Sequence, residues 1–316
     1  MSVFWRQSFG SAPVDEIALD TRARQELSGR SFSCDEEALA YCDSLDDNLA
    51  SAVFYRYLTN IRHREFINAI DNLPATPINA GRRIKLLVVP GFFYKEHPDI
   101  GSGGDMLFPL GSSFGFEVDR APLKSLGTVS ENAALLGDCL RAEPHANVWL
   151  VSFSKAAAEI RLLMQQMGRD FPSNVRGWIS VSGSIGGTPL ATRRFRTRLH
   201  RALNTLFFPL LGTSARAIEE LRDDHPFWQQ ALVLPNDMEL IHVLGVPLMS
   251  HVQPVLMNSY RQMRPLGLND GMGMFRPVLA CPGHVYPVWG ADHFLRTPAL
   301  SPLLYRLLRY VANTGE

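Results

Sequence analysis

Ser154 stands where a strand-like part of the sequence passes directly into a helical one. The segment Val148 to Val151 is apolar and β-prone, and good helix formers begin at Ala156. A strand that turns into a helix without a linker makes a tight corner, with strained backbone at the corner and small residues two positions before and after it. Ser152 and Ala156 are both small. The pattern predicts a nucleophile elbow that exposes the Ser154 hydroxyl at a helix N-terminus, where amide groups favour negative charge.

A second interpretation of Ser154 is a simple helix cap, because serine is a preferred N-cap residue. A nucleophilic serine needs a general base and a carboxylate that orients the base. His293 follows the last predicted strand, and Asp270 lies in the turn-forming segment 268–271. Since the active groups of open α/β sheets lie at the carboxyl ends of the strands, we expect Ser154, Asp270 and His293 to meet there.

Each of these two residues also has a non-catalytic interpretation. Asp270 could be an ordinary Asx-turn residue, and His293 could be a capping or surface histidine. Asp292 is the rival carboxylate, but its adjacency to His293 in the sequence makes a productive contact with that imidazole awkward.

Acyl transfer also requires hydrogen-bond donors for the oxyanion that develops in the transition state. We expect one donor to be the backbone amide of Lys155, the residue after the nucleophile. The other is expected in the loop after the first strong strand, where Gly91 allows a close turn and Phe92 supplies the amide. The alternative is that Pro90 and Gly91 merely form a turn.

The order of elements along the chain predicts an α/β fold with a helical N-terminal extension. Residues 1–80 are helical in pattern, most clearly from Asp35 to Leu73, and Pro74 and Pro77 end this part. From Ile84 strands alternate with helices, which indicates a mainly parallel sheet with helices on both faces. The predicted strands are 84–89, 116–120, 148–151, 175–181, 239–244 and 284–289, and the predicted helices include 129–141, 154–167 and 252–263.

An insertion at about 188–238 lacks strand signals. Its first part combines a basic cluster with an apolar one; the basic residues are Arg193, Arg194, Arg196, Arg198 and Arg201, and the apolar ones are Leu203, Leu206, Phe207, Phe208, Leu210 and Leu211. A basic amphipathic helix suits an anionic lipid surface or an acidic partner. The commoner arrangement, which we favour, buries the apolar face against the protein's own core.

Composition sets the broad class. The 316 residues carry 31 Lys and Arg against 31 Asp and Glu, so no overall charge points to nucleic acid. The cysteines Cys34, Cys42, Cys139 and Cys281 lack metal-ligand spacing, which favours a reduced, intracellular chain. The N-terminus has no signal-peptide pattern and no apolar run reaches transmembrane length, so we expect a soluble, cytoplasmic protein.

Together these motifs resemble the α/β-hydrolase superfamily, and more narrowly its lipase and esterase branches. Pro90-Gly91-Phe92 resembles the oxyanion loop, residues 152–156 the nucleophile elbow, and Gly187-Thr188-Pro189 the segment after the next strand. Asn269-Asp270-Gly271 and Gly290-Ala291-Asp292-His293 are similar to the acid and histidine loops. The resemblance covers residues 81–316 and follows the Ser…Asp…His chain order.

The resemblance implies a serine hydrolase that cleaves a carboxylic ester through an acyl-enzyme on Ser154, without a metal or organic cofactor. The expected substrate is a small, partly hydrophobic acyl compound, and the insertion would be a lid that allows peripheral lipid contact. A thioesterase or acyltransferase would use the same residues, and a non-catalytic binding or scaffold protein could use the same fold. Two departures from the family pattern are the small residues Ser152 and Ala156 in place of glycines, and Lys155, whose ammonium pairs nearby or meets an acidic substrate.

Overall fold

The computed structural model describes residues 14–79, 84–208, 212–235 and 238–314. The side chains of Arg198, Arg201 and Leu206 are not among what it describes. The N-terminal segment, the predicted boundary at residues 80 and 81, and Leu210 and Leu211 also lie outside the described residues.

A six-stranded sheet forms the centre of the molecule, and all of its strands are parallel. The strands are β1 (Lys85–Val89), β2 (Glu117–Arg120), β3 (Val148–Phe153), β4 (Val175–Val181), β5 (Glu239–Val246) and β6 (His284–Trp289). Their order across the sheet is β2-β1-β3-β4-β5-β6. The parallel sheet expected from the sequence is confirmed, and it places β3 in the interior of the sheet, next to β1 and β4.

Helices connect the strands and precede the first one. They are α1 (Glu16–Leu27), α2 (Asp35–Asp43), α3 (Asp47–Tyr57), α4 (Arg64–Asp71), α5 (Leu107–Ser113), α6 (Val129–Arg141), α7 (Ala156–Met167), α8 (Pro189–Arg194), α9 (Arg198–Phe207), α10 (Ala215–Glu219), α11 (Pro254–Met263), α12 (Phe275–Leu279) and α13 (Leu300–Thr314). The helical pattern over 35–73 is divided into three helices, and a π-helical turn at Leu58–Arg62 joins the last two.

Apart from the edge strand β2, whose residues are half-buried or exposed, both faces of the sheet are largely buried, because alternate strand residues enter different cores. Leu87 and Leu150 belong to a core with residues of α6 and α7, whereas Leu86 and Val151 belong to a core with residues of α5 and α13. The placement of helices on both faces therefore follows from interior strands such as β1 and β3, which carry apolar side chains on both of their faces.

The N-terminal helices contribute to these same cores. Phe54 of α3 is fully buried and stacks on Phe275, with ring centroids 5.1 Å apart. On the opposite face Phe66 of α4 stacks on His284 of β6 at 4.3 Å. Residues 16–71 thus bury apolar side chains together with the sheet.

In the described parts of the chain, no helix combines the length and the apolar character that crossing a membrane requires. The four cysteines are free thiols, with Cys34 exposed and Cys42 buried. Among the residues that the structure describes, no group of acidic, His and Cys side chains could hold a metal ion.

Candidate active site

Ser154 occupies the corner between β3 and α7. Its backbone is left-handed, with φ of +51°, which is strained for a residue with a side chain. The amide of Ser154 donates to the Val181 carbonyl at 3.0 Å, and its carbonyl accepts from the Ser184 amide at 3.0 Å. These bonds to the end of β4 hold the strained turn in place and leave the hydroxyl partly exposed.

The residues around the corner must be small because the chain after β4 packs against it. Ser152 and Ala156 are fully buried. A side chain on Gly183 would bring its Cβ to 2.7 Å from Ala157 Cβ. Ser152 has a further role that its size does not reveal, since its Oγ accepts a 2.7 Å hydrogen bond from the Trp178 indole N–H.

His293 and Asp270 form a continuous hydrogen-bonded chain with Ser154. His293 Nε2 lies 2.9 Å from Ser154 Oγ, and His293 Nδ1 lies 2.9 Å from Asp270 Oδ2. Because a carboxylate oxygen accepts, Nδ1 carries the proton and Nε2 is left to accept from the serine hydroxyl. Asp270 and His293 are 1% and 6% exposed. The hydrogen bonds that join Ser154, His293 and Asp270 are therefore shielded from water except at the serine.

The loop that carries Asp270 fixes the orientation of its carboxylate. Oδ1 accepts from the Met272 amide at 2.9 Å and from the Gly273 amide at 2.7 Å, which leaves Oδ2 for the imidazole. The backbone carbonyl of Asp270 also accepts from the His293 amide at 2.9 Å. Asp270 is thus held in place by backbone groups on one side and engages His293 on the other.

Asp292, the rival carboxylate, is engaged elsewhere. Its Oδ2 accepts from the Gln253 amide at 2.8 Å and its Oδ1 from the Phe294 amide at 3.1 Å. Burial raises the pKa of the Asp292 carboxyl above its usual value of 3.8. Asp292 therefore acts on His293 through its charge, whereas Asp270 makes the direct contact.

The electrostatics of the site favour proton uptake by His293. Burial by itself would lower the pKa of the imidazole, but the negative charges of Asp270 and Asp292 and the hydrogen bond to Asp270 outweigh it, so the pKa is raised above 6.5. The raised pKa makes His293 a stronger acceptor for the Ser154 proton.

The loop after β1 lies against the end of β3, next to the corner. A Cβ on Gly91 would stand 2.8 Å from the Phe153 carbonyl oxygen, so glycine is needed for this close approach. Ser102 braces the loop, since its carbonyl accepts from the Gly91 amide at 2.9 Å and its hydroxyl donates to the Phe92 carbonyl at 3.1 Å. Within the described part of the chain the amides of Phe92 and Lys155 have no hydrogen-bond acceptor.

The Lys155 side chain does not face a substrate. Its ammonium forms a buried ion pair with Glu159, and the two side chains are 3% and 0% exposed. Of the two possibilities that the sequence leaves open for this cation, the structure contains the nearby pair. Glu159 was not singled out from the sequence, although its i,i+4 spacing from Lys155 is the usual signal of such a pair.

The insertion after β4 contains α8, α9 and α10 among its described residues. Leu199, Leu203 and Phe207, one turn apart on α9, are 67%, 53% and 45% exposed. The favoured expectation that the apolar cluster is covered by the protein's own core is wrong for Leu203 and Phe207, although Phe208 is buried as expected. The exposed side chains of Arg193, Arg194 and Arg196 belong to the same insertion.

Two cavities of about 480 and 540 Å³ border the insertion. Lys124, Thr128 and Arg216 line the first, and Leu190, Arg193 and Met263 line the second. Ser154 and His293 line neither cavity, so both cavities are separate from the candidate active site.

No protein-family model matches the chain, and no curated protein matches it in sequence. Solved structures do match. A metagenomic carboxyl esterase is 19% identical over 76% of this chain and 78% of its own, with a TM-score of 0.57. A lipase of Bacillus licheniformis is 15% identical over 77% of this chain and 95% of its own (TM-score 0.49), and a monoglyceride lipase of Saccharomyces cerevisiae is 14% identical over 76% and 90% (TM-score 0.47). At these identities the likeness concerns the fold.

Proposed function

We propose that this chain, which has the α/β-hydrolase fold, is a serine hydrolase that cleaves carboxylic esters through an acyl-enzyme on Ser154. The observation that carries the proposal is the chain of two 2.9 Å contacts from Ser154 through His293 to Asp270. Oriented in this way, the three groups meet the geometric requirement for a nucleophile, its base and the acid that orients the base.

In the proposed reaction Ser154 Oγ attacks the ester carbonyl carbon while His293 Nε2 takes the hydroxyl proton. The negative charge of Asp270 stabilises the imidazolium, and the amides of Phe92 and Lys155 donate to the oxyanion of the tetrahedral intermediate. His293 then gives its proton to the departing alkoxide, so that the ester C–O bond breaks and an alcohol leaves. Water, deprotonated by His293, then attacks the acyl carbon; the bond from this carbon to Ser154 Oγ breaks, His293 returns the proton to Oγ, and a carboxylic acid leaves. His293 carries out every proton transfer in this scheme.

A fluorophosphonate probe tests the assignment directly, because it phosphonylates serines that are activated in this way. We expect Ser154→Ala to abolish both labelling and ester turnover. Ser182→Ala is a matched control, since Ser182 also has a left-handed backbone, with φ of +46°, at the end of the next strand. Labelling that persists in Ser154→Ala would contradict the proposal.

Thioester hydrolysis and acyl transfer are alternatives that use the same residues, because the acyl-enzyme is common to them. Turnover of matched ester and thioester substrates, with and without an added alcohol acceptor, distinguishes these activities. A non-catalytic scaffold is disfavoured by the 2.9 Å contact between His293 and Ser154, since such a protein has no need for a base at that position.

The substrate we propose is a small, partly hydrophobic acyl ester, met at an anionic lipid surface through α9. The exposed side chains of Leu199, Leu203 and Phe207 would enter the interface, and the neighbouring arginines would contact lipid phosphates.

Substituting these three apolar residues by glutamine should abolish binding to phosphatidylglycerol vesicles. Ile17→Gln and Val233→Gln, at positions 82% and 78% exposed, are controls that should retain it; equal binding by all variants would contradict the lipid contact.

A further inference from the structure

Lys155 supplies one of the two proposed oxyanion donors, and its side chain lies beside the residue that supplies the other. Its backbone amide follows Ser154, and its ammonium pairs with Glu159 one turn further along α7. The same ammonium lies 5.4 Å from the centroid of the Phe92 ring, and Phe92 carries the other proposed donor. A single side chain therefore links the two loops whose amides must point at one oxygen atom.

The ion pair is held in place from behind. Glu159 Oε1 also accepts from Asn132 Nδ2 at 2.8 Å. Asn132 in turn pairs with both backbone groups of Lys124, at 3.0 Å to its amide and 2.9 Å to its carbonyl. Since Lys155 and Glu159 are almost completely buried, neither solvent nor substrate reaches the ammonium, and its position is set by these contacts.

Stability alone does not account for such a pair. Removing two charges from water is unfavourable, and apolar residues of similar volume are often at least as stabilising. In addition, Glu159 Oε2 has no hydrogen-bond partner among the described residues. The pair instead fixes the position of the Lys155 ammonium, because charge-assisted hydrogen bonds are short and oriented. A desolvated ammonium in turn attracts the face of an aromatic ring.

We infer that Lys155 is a positioning residue, whose ion pair with Glu159 holds the ammonium against the Phe92 ring and so fixes the separation of the Phe92 and Lys155 amides. The inference rests on the proposed function. Oxyanion donors act only within a narrow range of distance from the charge that develops. Loss of the link should therefore lower kcat while leaving KM nearly unchanged, because the substrate carbonyl binds before that charge appears.

The test uses variants that remove the link and keep the fold. Lys155→Met alone leaves the buried Glu159 charge uncompensated and is expected to unfold the protein. The informative variants are Lys155→Met/Glu159→Gln, which removes both charges, and Phe92→Leu, which removes the ring and keeps the amide. We expect each to lower kcat for an ester by about 10- to 100-fold, and their combination to cost little more, since the parts act as one unit.

Two further variants control the experiment. Phe92→Tyr keeps an aromatic face and should lose less kcat than Phe92→Leu. Arg141→Met/Asp138→Asn removes another intrahelical ion pair, in α6, and should leave kcat unchanged. Folding of every variant is checked by thermal unfolding.

The outcomes separate this inference from the proposed function. If the wild-type protein turns over no ester, the proposed function fails and the inference fails with it. If the wild type is active and folded Lys155→Met/Glu159→Gln retains its kcat, or if its effect and that of Phe92→Leu simply multiply, only the positioning role is overturned.

Discussion

His293 Nε2 lies 2.9 Å from Ser154 Oγ although the two residues are 139 positions apart in the chain. The contact exists because β3 and β6 belong to one parallel sheet and both end at the same edge. The serine arrives on a strained turn and the histidine on the loop after β6, so that each is held by backbone structure.

The first prediction separates the two carboxylates near His293. Asp270→Asn should lower kcat by about 10³- to 10⁴-fold, because an amide in place of Oδ2 favours the wrong imidazole tautomer. Asp292→Asn should have a much smaller effect, since Asp292 bonds to the Gln253 and Phe294 amides. Steady-state ester kinetics measure both variants. A larger loss in Asp292→Asn than in Asp270→Asn would reverse the assignment of the acid.

The second prediction concerns pH. Neutral imidazole is the base, so kcat/KM should fall as the pH drops through the pKa of His293, which lies above 6.5. In Asp270→Asn one of the charges that raises this pKa is absent, while burial still lowers it. The acidic limb of the residual activity should therefore move to lower pH. A limb that stays in place would show that another group controls it.

The third prediction concerns the buried hydroxyl of Ser152. Ser152→Ala leaves the Trp178 indole N–H without its 2.7 Å acceptor and should lower the free energy of unfolding by about 1–3 kcal/mol. Ser180→Ala is the matched control, because Ser180 is equally buried on the neighbouring strand and its Oγ has no hydrogen-bond partner among the described residues. Urea unfolding compares the two. Equal losses would mean that the indole bond contributes nothing.

The fourth prediction concerns the N-terminal helices. Phe54→Ala should lower the free energy of unfolding by about 3–5 kcal/mol, because Phe54 is fully buried and stacks on Phe275. Ile61→Ala, at a position 48% exposed, should change it by less than about 0.5 kcal/mol. Denaturant unfolding gives both values. A small effect of Phe54→Ala would indicate that the packing of α3 against Phe275 contributes little to the stability of the fold.

Local patterns predicted much of the fold. The strands Val175–Val181 and His284–Trp289 and the helix Val129–Arg141 agree with the predicted bounds. Others differ slightly at their ends, as β3 does by continuing to Phe153. Helix α1 was not predicted as a separate element, because few of its residues are apolar and only Leu19 and Ala23 are buried.

By itself the sequence determined the features that depend on neighbours along the chain. Apolar runs separated by helical periods specify a parallel sheet, and small residues on both sides of Ser154 permit its strained turn. Long-range packing decided the rest: that Asp270 and not Asp292 contacts His293, that the Lys155 ammonium is buried against Glu159 and Phe92, and that the apolar face of α9 is left exposed. Periodicity states which side chains share a face, but only the three-dimensional structure determines what that face meets.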